Sequence, residues 1–147
     1  MKRGVVVDAS VWVASLVPQD AFYATSQEWL KVNHARGVEF LAPALLLTEV
    51  AGVISRRRGD PILAYKTVKT LQELPGLTLL EMSYTLVQRA TELAADLGLR
   101  GADAYYVAAA AFLHVPLATL DQDQRVRAEQ VVRVEVIQLN HLTSPLP

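Results

Sequence analysis

The chain has 147 residues, 52% of them hydrophobic, and its fourteen basic and fifteen acidic residues leave a net charge of −1. This is the length of one domain, and the charge balance excludes a protein that holds nucleic acid through overall positive charge, although it allows a local basic rim around an acidic centre. The absence of cysteine excludes disulfide frameworks, thiolate catalysis and cysteine-based zinc sites. With no apolar run of membrane-spanning length and no secretory leader, we expect a cytoplasmic protein without a membrane segment.

Apolar strand-like runs alternate with helical stretches along the chain. Strands are predicted at 5–7, 38–42, 77–81, 115–120 and 131–139. Helices are predicted at 10–17, 20–35, 45–57, 61–74, 83–97 and 102–113. Strands separated by helices predict right-handed crossovers and a parallel sheet covered on both faces. We therefore predict a single α/β domain over residues 1–147, with three α/β/α layers around a central parallel sheet of four to five strands.

Three aspartates fall at one edge of the predicted sheet. Asp8 follows the first strand, and Asp121 ends the fourth, in LATLDQDQR. Ligands of an open parallel sheet bind beyond the carboxyl ends of its strands, so both carboxylates open onto one crevice if these strands are neighbours. Thr119 faces the same side as Asp121 because side chains alternate along a strand. Asp103 belongs at this edge as well, since it begins the helix that leads into the fourth strand.

Each carboxylate also has an ordinary structural explanation. Asp8 could cap the helix that follows it, and Asp103 could be a first-turn partner of a helix dipole. Asp121 and Asp123 are typical turn residues, and we place Asp123 in the turn after the fourth strand. Glu49 lies in a helix at the border of a core-facing stripe, where it is exposed, paired or part of a site. Carboxylates without a shared role should scatter, however, and of Asp8, Glu49, Asp103 and Asp121 three meet at one edge.

Four segments together resemble a known family. They are VVVDAS at the start, LLLTEV in the third predicted helix, GADAYYVAAA in the last one and LATLDQD near the end. In this order and spacing they are similar to the motifs of PIN domains, and more narrowly of the single-domain VapC-type toxins of bacterial and archaeal toxin–antitoxin pairs. The resemblance covers essentially the whole chain. It implies that the acidic catalytic and metal-site residues are Asp8, Glu49, Asp103 and Asp121. The supporting residues that it implies are Ser10, Thr119 and Asp123.

A cluster of carboxylates favours a hard divalent cation. Neighbouring carboxylates repel one another, and without a cation some must take up protons. Mg²⁺ or Mn²⁺ prefers carboxylate and water oxygens, and a bound ion can acidify a water and stabilise charge on a phosphodiester. We therefore expect phosphodiester hydrolysis by a metal-activated water, with the Ser10 and Thr119 hydroxyls orienting water or phosphate. The resemblance implies RNA as the substrate, and thus a Mg²⁺- or Mn²⁺-dependent endoribonuclease.

Arginines near the acidic segments are candidate RNA contacts. Arg56 follows Glu49 by seven residues and returns to nearly the same helix face, although a solvated helix end is the better explanation of this basic run when it is taken alone. Arg57 and Arg58 fan away around the helix, so the triplet cannot all face one phosphate. The candidates are Arg56, Arg100, Arg125 and Arg127.

The histidines and aromatic residues are not assigned to the site. No spacing typical of a metal pair links the three histidines, His34, His114 and His141. The aromatic residues near the motifs are expected to be packing groups: Trp12, Trp29, Tyr105 and Tyr106. Tyr106 is also a candidate hydrogen-bond donor to Asp103.

Other functions make different demands on the same residues. A haloacid-dehalogenase-like phosphatase needs a second aspartate two residues after Asp8, where the chain has Ser10, and a receiver domain needs a late lysine, whereas none follows Lys69. A housekeeping RNA-processing PIN nuclease and a non-catalytic PIN-like binding module stay open. The compact chain favours the toxin, and with it a VapB-like antitoxin that covers the acidic site. The resemblance also implies a homodimer.

Overall fold

The structure, a computed structural model, describes residues 3–137. Five strands are present: β1 (Gly4–Val7), β2 (Glu39–Pro43), β3 (Leu77–Leu80), β4 (Leu117–Ala118) and β5 (Val134–Glu135). The helices among these residues are α1 (Ala9–Leu16), α2 (Tyr23–Ala35), α3 (Leu45–Arg58), α4 (Pro61–Gln72), α5 (Tyr84–Leu97), α6 (Gly101–Leu113) and α7 (Gln122–Ala128). Residues 138 and 139 of the predicted fifth strand, and His141, lie outside the described residues.

The strands form one sheet in the order β3-β2-β1-β4-β5, and every neighbouring pair is parallel. The central position of β1 explains its three consecutive valines, Val5 to Val7, because a central strand of a covered parallel sheet is buried on both faces. The helices pack in two groups, α1 to α4 and α5 with α6. The predicted three-layer α/β/α class with a parallel sheet of up to five strands is confirmed.

Helix ends fall where the sequence places capping residues. Asp60 accepts a hydrogen bond from the Leu63 N–H at the start of α4, and Ser83 accepts one from the Leu86 N–H at the start of α5. Gly59 and Gly98 end α3 and α5 in the left-handed conformation, which glycine adopts without steric cost. These ends agree with the predicted ones because they depend on local chemistry.

The segment after β4 differs from the prediction. We placed Asp123 in a turn, and this is wrong, because it lies in the first turn of α7. Asp121 is the N-cap of that helix, and its Oδ1 accepts a hydrogen bond from the Gln124 N–H at 3.1 Å. The helix QDQRVRA is short and mostly polar, so it shows no apolar period. Strand β4 is also shorter than the predicted 115–120.

No helix within residues 3–137 combines the length and the apolar character that crossing a membrane requires.

Candidate active site

The sheet order joins the first and last acidic segments. Strands β1 and β4 are parallel neighbours, with Val7 opposite Ala118, and the Asp8 N–H donates to the Ala118 carbonyl at 3.1 Å. Asp8 and Thr119 therefore follow the carboxyl ends of adjacent strands, which is where open α/β sheets bind ligands. The neighbouring strands that the sequence analysis required are confirmed.

Asp8 is a helix cap and a member of a buried polar network at the same time. Its side chain is the N-cap of α1, and the residue is only 4% exposed. Oδ1 accepts hydrogen bonds from the Ser10 N–H at 3.1 Å and the Ser10 hydroxyl at 2.5 Å, while Oδ2 accepts one from the Thr119 hydroxyl at 2.7 Å. The capping role that the sequence offered as an alternative thus coexists with a place at the sheet edge.

Gln124 is a buried member of this network that sequence reasoning missed. Its Oε1 lies 2.8 Å from Thr119 Oγ1, and its Nε2 donates to the Asp103 carbonyl at 3.3 Å. The residue is fully buried and so ties the start of α7 to the start of α6. The available signal was an aspartate cap followed three residues later by glutamine, the spacing at which helix starts exchange side-chain hydrogen bonds.

The network has one hydroxyl hydrogen for two acceptors. Thr119 carries a single donor hydrogen, yet Asp8 Oδ2 and Gln124 Oε1 both lie within hydrogen-bond distance of its oxygen. A protonated Asp8 resolves this, because it donates to Thr119 and leaves the threonine hydrogen for Gln124. Burial raises the pKa of Asp8 to about 7, although hydrogen bonds from Ser10 and Thr119 act in the opposite direction. Hydrogen counting and the raised pKa therefore point to the same protonation.

Asp103 links the other carboxylates to Asp8. Burial, followed by the charges of Asp121 and Glu49, raises its pKa to about 6, and Asp123 adds a smaller effect of the same sign. The charge of Asp103 in turn contributes to the raised pKa of Asp8. The sheet edge thus brings the four predicted acidic residues within electrostatic range of one another.

Glu49 is held by Tyr106. The Tyr106 hydroxyl donates to Glu49 Oε1 at 2.6 Å, and burial raises the pKa of the glutamate despite that hydrogen bond. Burial and the neighbouring Glu49 raise the pKa of Tyr106 as well, which keeps the phenol a donor. The expected bond from Tyr106 to Asp103 is wrong, because the hydroxyl is taken by a residue 57 positions away on α3. Trp12, Trp29 and Tyr106 are buried, as packing groups should be.

The candidate arginines differ in how they are engaged. Arg127 donates to both Asp123 oxygens, at 3.0 and 3.1 Å, and to the Leu97 carbonyl at 3.0 Å. Arg125 pairs with Glu129 at 3.0 Å on the same helix. Arg100 is near enough to lower the pKa of Asp103. Arg56 is exposed on the last turn of α3. RNA contact stays a prediction for all four. For Arg125 and Arg127 it requires that the guanidinium leave its present carboxylate partner for a phosphate.

The acidic residues fit a hard divalent cation in donor type. Burial and neighbouring carboxylates make the negative charges of Asp8 and Asp103 unfavourable, and a bound cation would offset that unfavourable energy. Among residues 3–137, no three His, Cys, Asp or Glu side chains are already grouped closely enough to hold an ion. Mg²⁺ keeps most of its water ligands and requires only one or two carboxylates. The donor set therefore matches a largely hydrated ion better than a closed cage.

We expect replacement of Gln124 by leucine to destabilise the protein. Gln124→Leu keeps the side-chain volume but leaves the Asp103 carbonyl and one Thr119 bond unpaired, which should lower the free energy of unfolding by about 1–3 kcal/mol. Urea denaturation measures this change. Gln122→Leu, an exposed change on the same helix, is the matched control. Equal destabilisation by both variants would contradict the proposed role of Gln124.

Several solved structures share this fold. VapC20 of Mycobacterium tuberculosis, described as a sarcin-ricin loop cleaving toxin, is 19% identical with a TM-score of 0.69 over 83% of this chain and 93% of its own. VapBC2 of Rickettsia felis, bound to a DNA fragment of its promoter, is 12% identical with a TM-score of 0.67 over 90% and 97%. A toxin–antitoxin complex of Klebsiella pneumoniae is 15% identical with a TM-score of 0.57 over 81% and 88%. At these identities the likeness shows the fold.

The family follows from the sequence match. No curated protein matches the chain. The family model of the PIN domain, however, matches residues 5–130, a stretch that contains all four carboxylates and the network around Asp8. Because the match spans most of the chain and agrees with the sheet order and the acidic edge, the chain belongs to the PIN domain family.

Proposed function

We propose that this protein is a metal-dependent endoribonuclease and the toxin of a toxin–antitoxin pair. The observation that carries the proposal is the position of Asp103, whose pKa is raised by burial and by the charges of Asp121 and Glu49 at the carboxyl edge of the sheet. Groups with perturbed pKa values cluster at functional sites, where neighbouring charges and burial tune them for chemistry. Membership of the PIN domain family and the RNA-cleaving activity in the description of VapC20 support the reaction type.

The acidic residues would hold Mg²⁺ or Mn²⁺: Asp8, Glu49, Asp103 and Asp121. When bound, such an ion supplies charge neutralisation at the phosphodiester and a more acidic water. Ser10 and Thr119 position Asp8, since the Ser10 hydroxyl donates to its Oδ1 and the Thr119 hydroxyl is hydrogen-bonded to its Oδ2. Ser10 Oγ also accepts the Leu120 N–H at 3.0 Å, which fixes the start of the turn into α7. These hydroxyls therefore act first on the carboxylate rather than on water or phosphate.

The proposed partners are an antitoxin and a second copy of the chain. The VapBC2 structure and the Klebsiella pneumoniae complex are toxin–antitoxin assemblies of similar fold, which supports a VapB-like partner over the acidic edge. The homodimer rests on the family resemblance, and the exposed Ile62 and Tyr65 on α4 are compatible with it. A small gene directly beside this one would favour the toxin over a housekeeping RNA-processing enzyme.

The test is cleavage of a mixed RNA pool in the presence of Mg²⁺, Mn²⁺ or EDTA. We expect cleavage that requires metal in the wild-type protein and is lost in Asp103→Asn, because the variant removes the carboxylate that the other acidic residues surround. Asp96→Asn, an exposed change on α5, is the matched control and should cleave normally. Circular dichroism checks that every variant is folded.

Thermal melting in the same samples separates the alternatives. No cleavage, combined with a melting temperature that metal leaves unchanged, would overturn the proposal and favour a non-catalytic binding module. Cleavage that survives in EDTA would contradict metal dependence specifically.

A further inference from the structure

A groove leads away from the acidic edge between α1, α3 and the loop before α2. Its volume is about 270 Å³, and Ser10 and Asp121 line the end at the candidate active site. Phe22 and Arg57 line the groove as well, beside Asp20. This volume lies below the roughly 300–1,000 Å³ of sites for drug-sized ligands, so the groove suits one unit of a longer chain that continues from the acidic edge.

Arg57 supplies an available cation there. Its Nη1 lies 3.5 Å from Asp20 Oδ2, and its side chain is 54% exposed. A long, exposed ion pair of this kind contributes little, so the guanidinium can exchange its partner at small cost. Guanidinium groups bind phosphate oxygens through two parallel hydrogen bonds. Arg57 can therefore hold a phosphate next to the acidic edge, although its place on α3 differs from that of the predicted contact Arg56.

Phe22 supplies an aromatic surface beside that cation. It is 50% exposed, so its ring is accessible from the groove that it lines. Its backbone N–H donates to Asp20 Oδ1 at 2.9 Å, so one aspartate holds both the loop that carries Phe22 and the guanidinium of Arg57. A positive group next to an exposed aromatic ring is the combination with which proteins bind single-stranded nucleic acid.

From this arrangement, which rests on the proposed ribonuclease function, we infer that the groove binds the nucleotide next to the scissile phosphodiester. Arg57 contacts its phosphate, and Phe22 stacks on its base. The groove shares Ser10 and Asp121 with the active site, so a strand whose phosphodiester lies at the carboxylates continues directly into it. Stacking tolerates every base but favours purines through their larger surface, which makes Phe22 a determinant of cleavage preference.

The test compares cleavage of a randomised single-stranded RNA library by four proteins, with cut positions read by end sequencing. Arg57→Ala should lower the initial rate about 10-fold and reduce the slope of its salt dependence by about 0.7, the value for one phosphate contact on a single strand. Phe22→Leu keeps an apolar side chain and should lower the rate about 5-fold and flatten the base preference at one position beside the cut. Its salt dependence should stay that of the wild type.

Arg58→Ala is the matched control, because it removes the same charge from the same helix end but lies outside the groove. Equal effects of Arg57→Ala and Arg58→Ala, with an unchanged base preference in Phe22→Leu, would overturn the subsite while the nuclease stands. The groove would then be a surface for a protein partner. A wild-type protein that cleaves no RNA, and whose melting temperature metal leaves unchanged, would overturn the proposed function and this inference with it.

Discussion

The metal-free Asp8→Asn protein should be more stable than the wild type at about pH 8, although it should have lost most of its cleavage activity. The Asp8 carboxyl is buried and its pKa is raised to about 7, so the folded wild type carries an unfavourable buried charge at this pH. Asparagine removes that charge and keeps the cap, since asparagine and aspartate are equally good N-caps. Its amide can also donate to Thr119, which leaves the threonine hydrogen for Gln124.

The expected gain can be bounded. A pKa raised from 3.8 to about 7 sets an upper limit of about 4 kcal/mol at alkaline pH, from which weaker hydrogen bonds to a neutral acceptor must be subtracted. A net gain of about 2 kcal/mol would raise the melting temperature by about 4–8 °C. Cleavage should fall at least about 100-fold, because removing even a partner of a metal ligand costs about 10- to 100-fold.

The measurement is thermal melting in EDTA, paired with the RNA cleavage assay. Asp60→Asn is the matched control, because Asp60 is also an N-cap but is exposed, so its replacement should change neither the melting temperature nor the rate. A lower melting temperature for Asp8→Asn would show that the negative charge stabilises the fold. A cleavage rate that Asp8→Asn leaves unchanged would show in addition that Asp8 is a structural cap and that its assignment to the metal site is wrong.

Opposite effects on stability and activity are the expected signature of this sheet edge. The core around it, including Val6, Val7 and Ala118, is fully buried and tolerates a costly polar cluster. A purely structural site would have neutralised that cost, for example with an arginine paired to Asp8. The groups that contact the Asp8 side chain are instead Ser10 and Thr119, which orient the carboxylate without neutralising it. An unfavourable buried charge of this kind is retained where function requires it.

Local patterns explain why much of the fold could be predicted. The valine run of β1, the caps at Asp60 and Ser83, and the terminal glycines Gly59 and Gly98 act within a few residues. The grouping of the aspartates at one edge of the sheet could be predicted as well. In a parallel sheet, chain direction alone places the strand ends and the helix starts that follow them at the same side. Helix α7 was missed since its sequence is short and polar, and helix formation there depends on the Asp121 cap.

Contacts between distant residues could not be predicted in the same way. The Tyr106 hydroxyl donates to Glu49 instead of Asp103 because the fold brings α3 next to α6 at the sheet edge. No local sequence pattern encodes that contact. Gln124 reads as an ordinary polar helix residue until its burial between Thr119 and Asp103 is known. Arg57 seemed to point away from the site, yet it lines the groove beside it. Side-chain direction at a helix end depends on tertiary neighbours, and sequence spacing alone does not fix it.

We expect a rise in pH to lower the stability of the metal-free protein, and Mg²⁺ to raise it at the alkaline end. The folded protein binds a proton at Asp8 up to about pH 7, whereas the unfolded chain releases it near pH 3.8. Between these values the folded state holds more protons, so the free energy of unfolding falls as the pH rises. Asp103, with a pKa raised to about 6, acts in the same sense over a narrower window, and more weakly because it is only half-buried. The contribution is complete below about pH 4 and lost above about pH 7.

Comparison of the wild type with Asp8→Asn isolates the titration of Asp8 together with its coupling to Asp103, because carboxylates outside the site titrate alike in both proteins. In EDTA, the melting temperature of the wild type should fall progressively below that of the variant from about pH 5 to about pH 8. Mg²⁺ should change little at about pH 5, where protons occupy the carboxylates, and should stabilise the wild type at about pH 8 by about 2.7 kcal/mol when its concentration is 100 times the dissociation constant. A difference between the two proteins that does not vary with pH, or a Mg²⁺ effect that is equal at both ends of the range, would show that Asp8 titrates normally. The buried network would then be a neutral part of the fold, since an unperturbed carboxylate has no charge penalty for a cation to relieve.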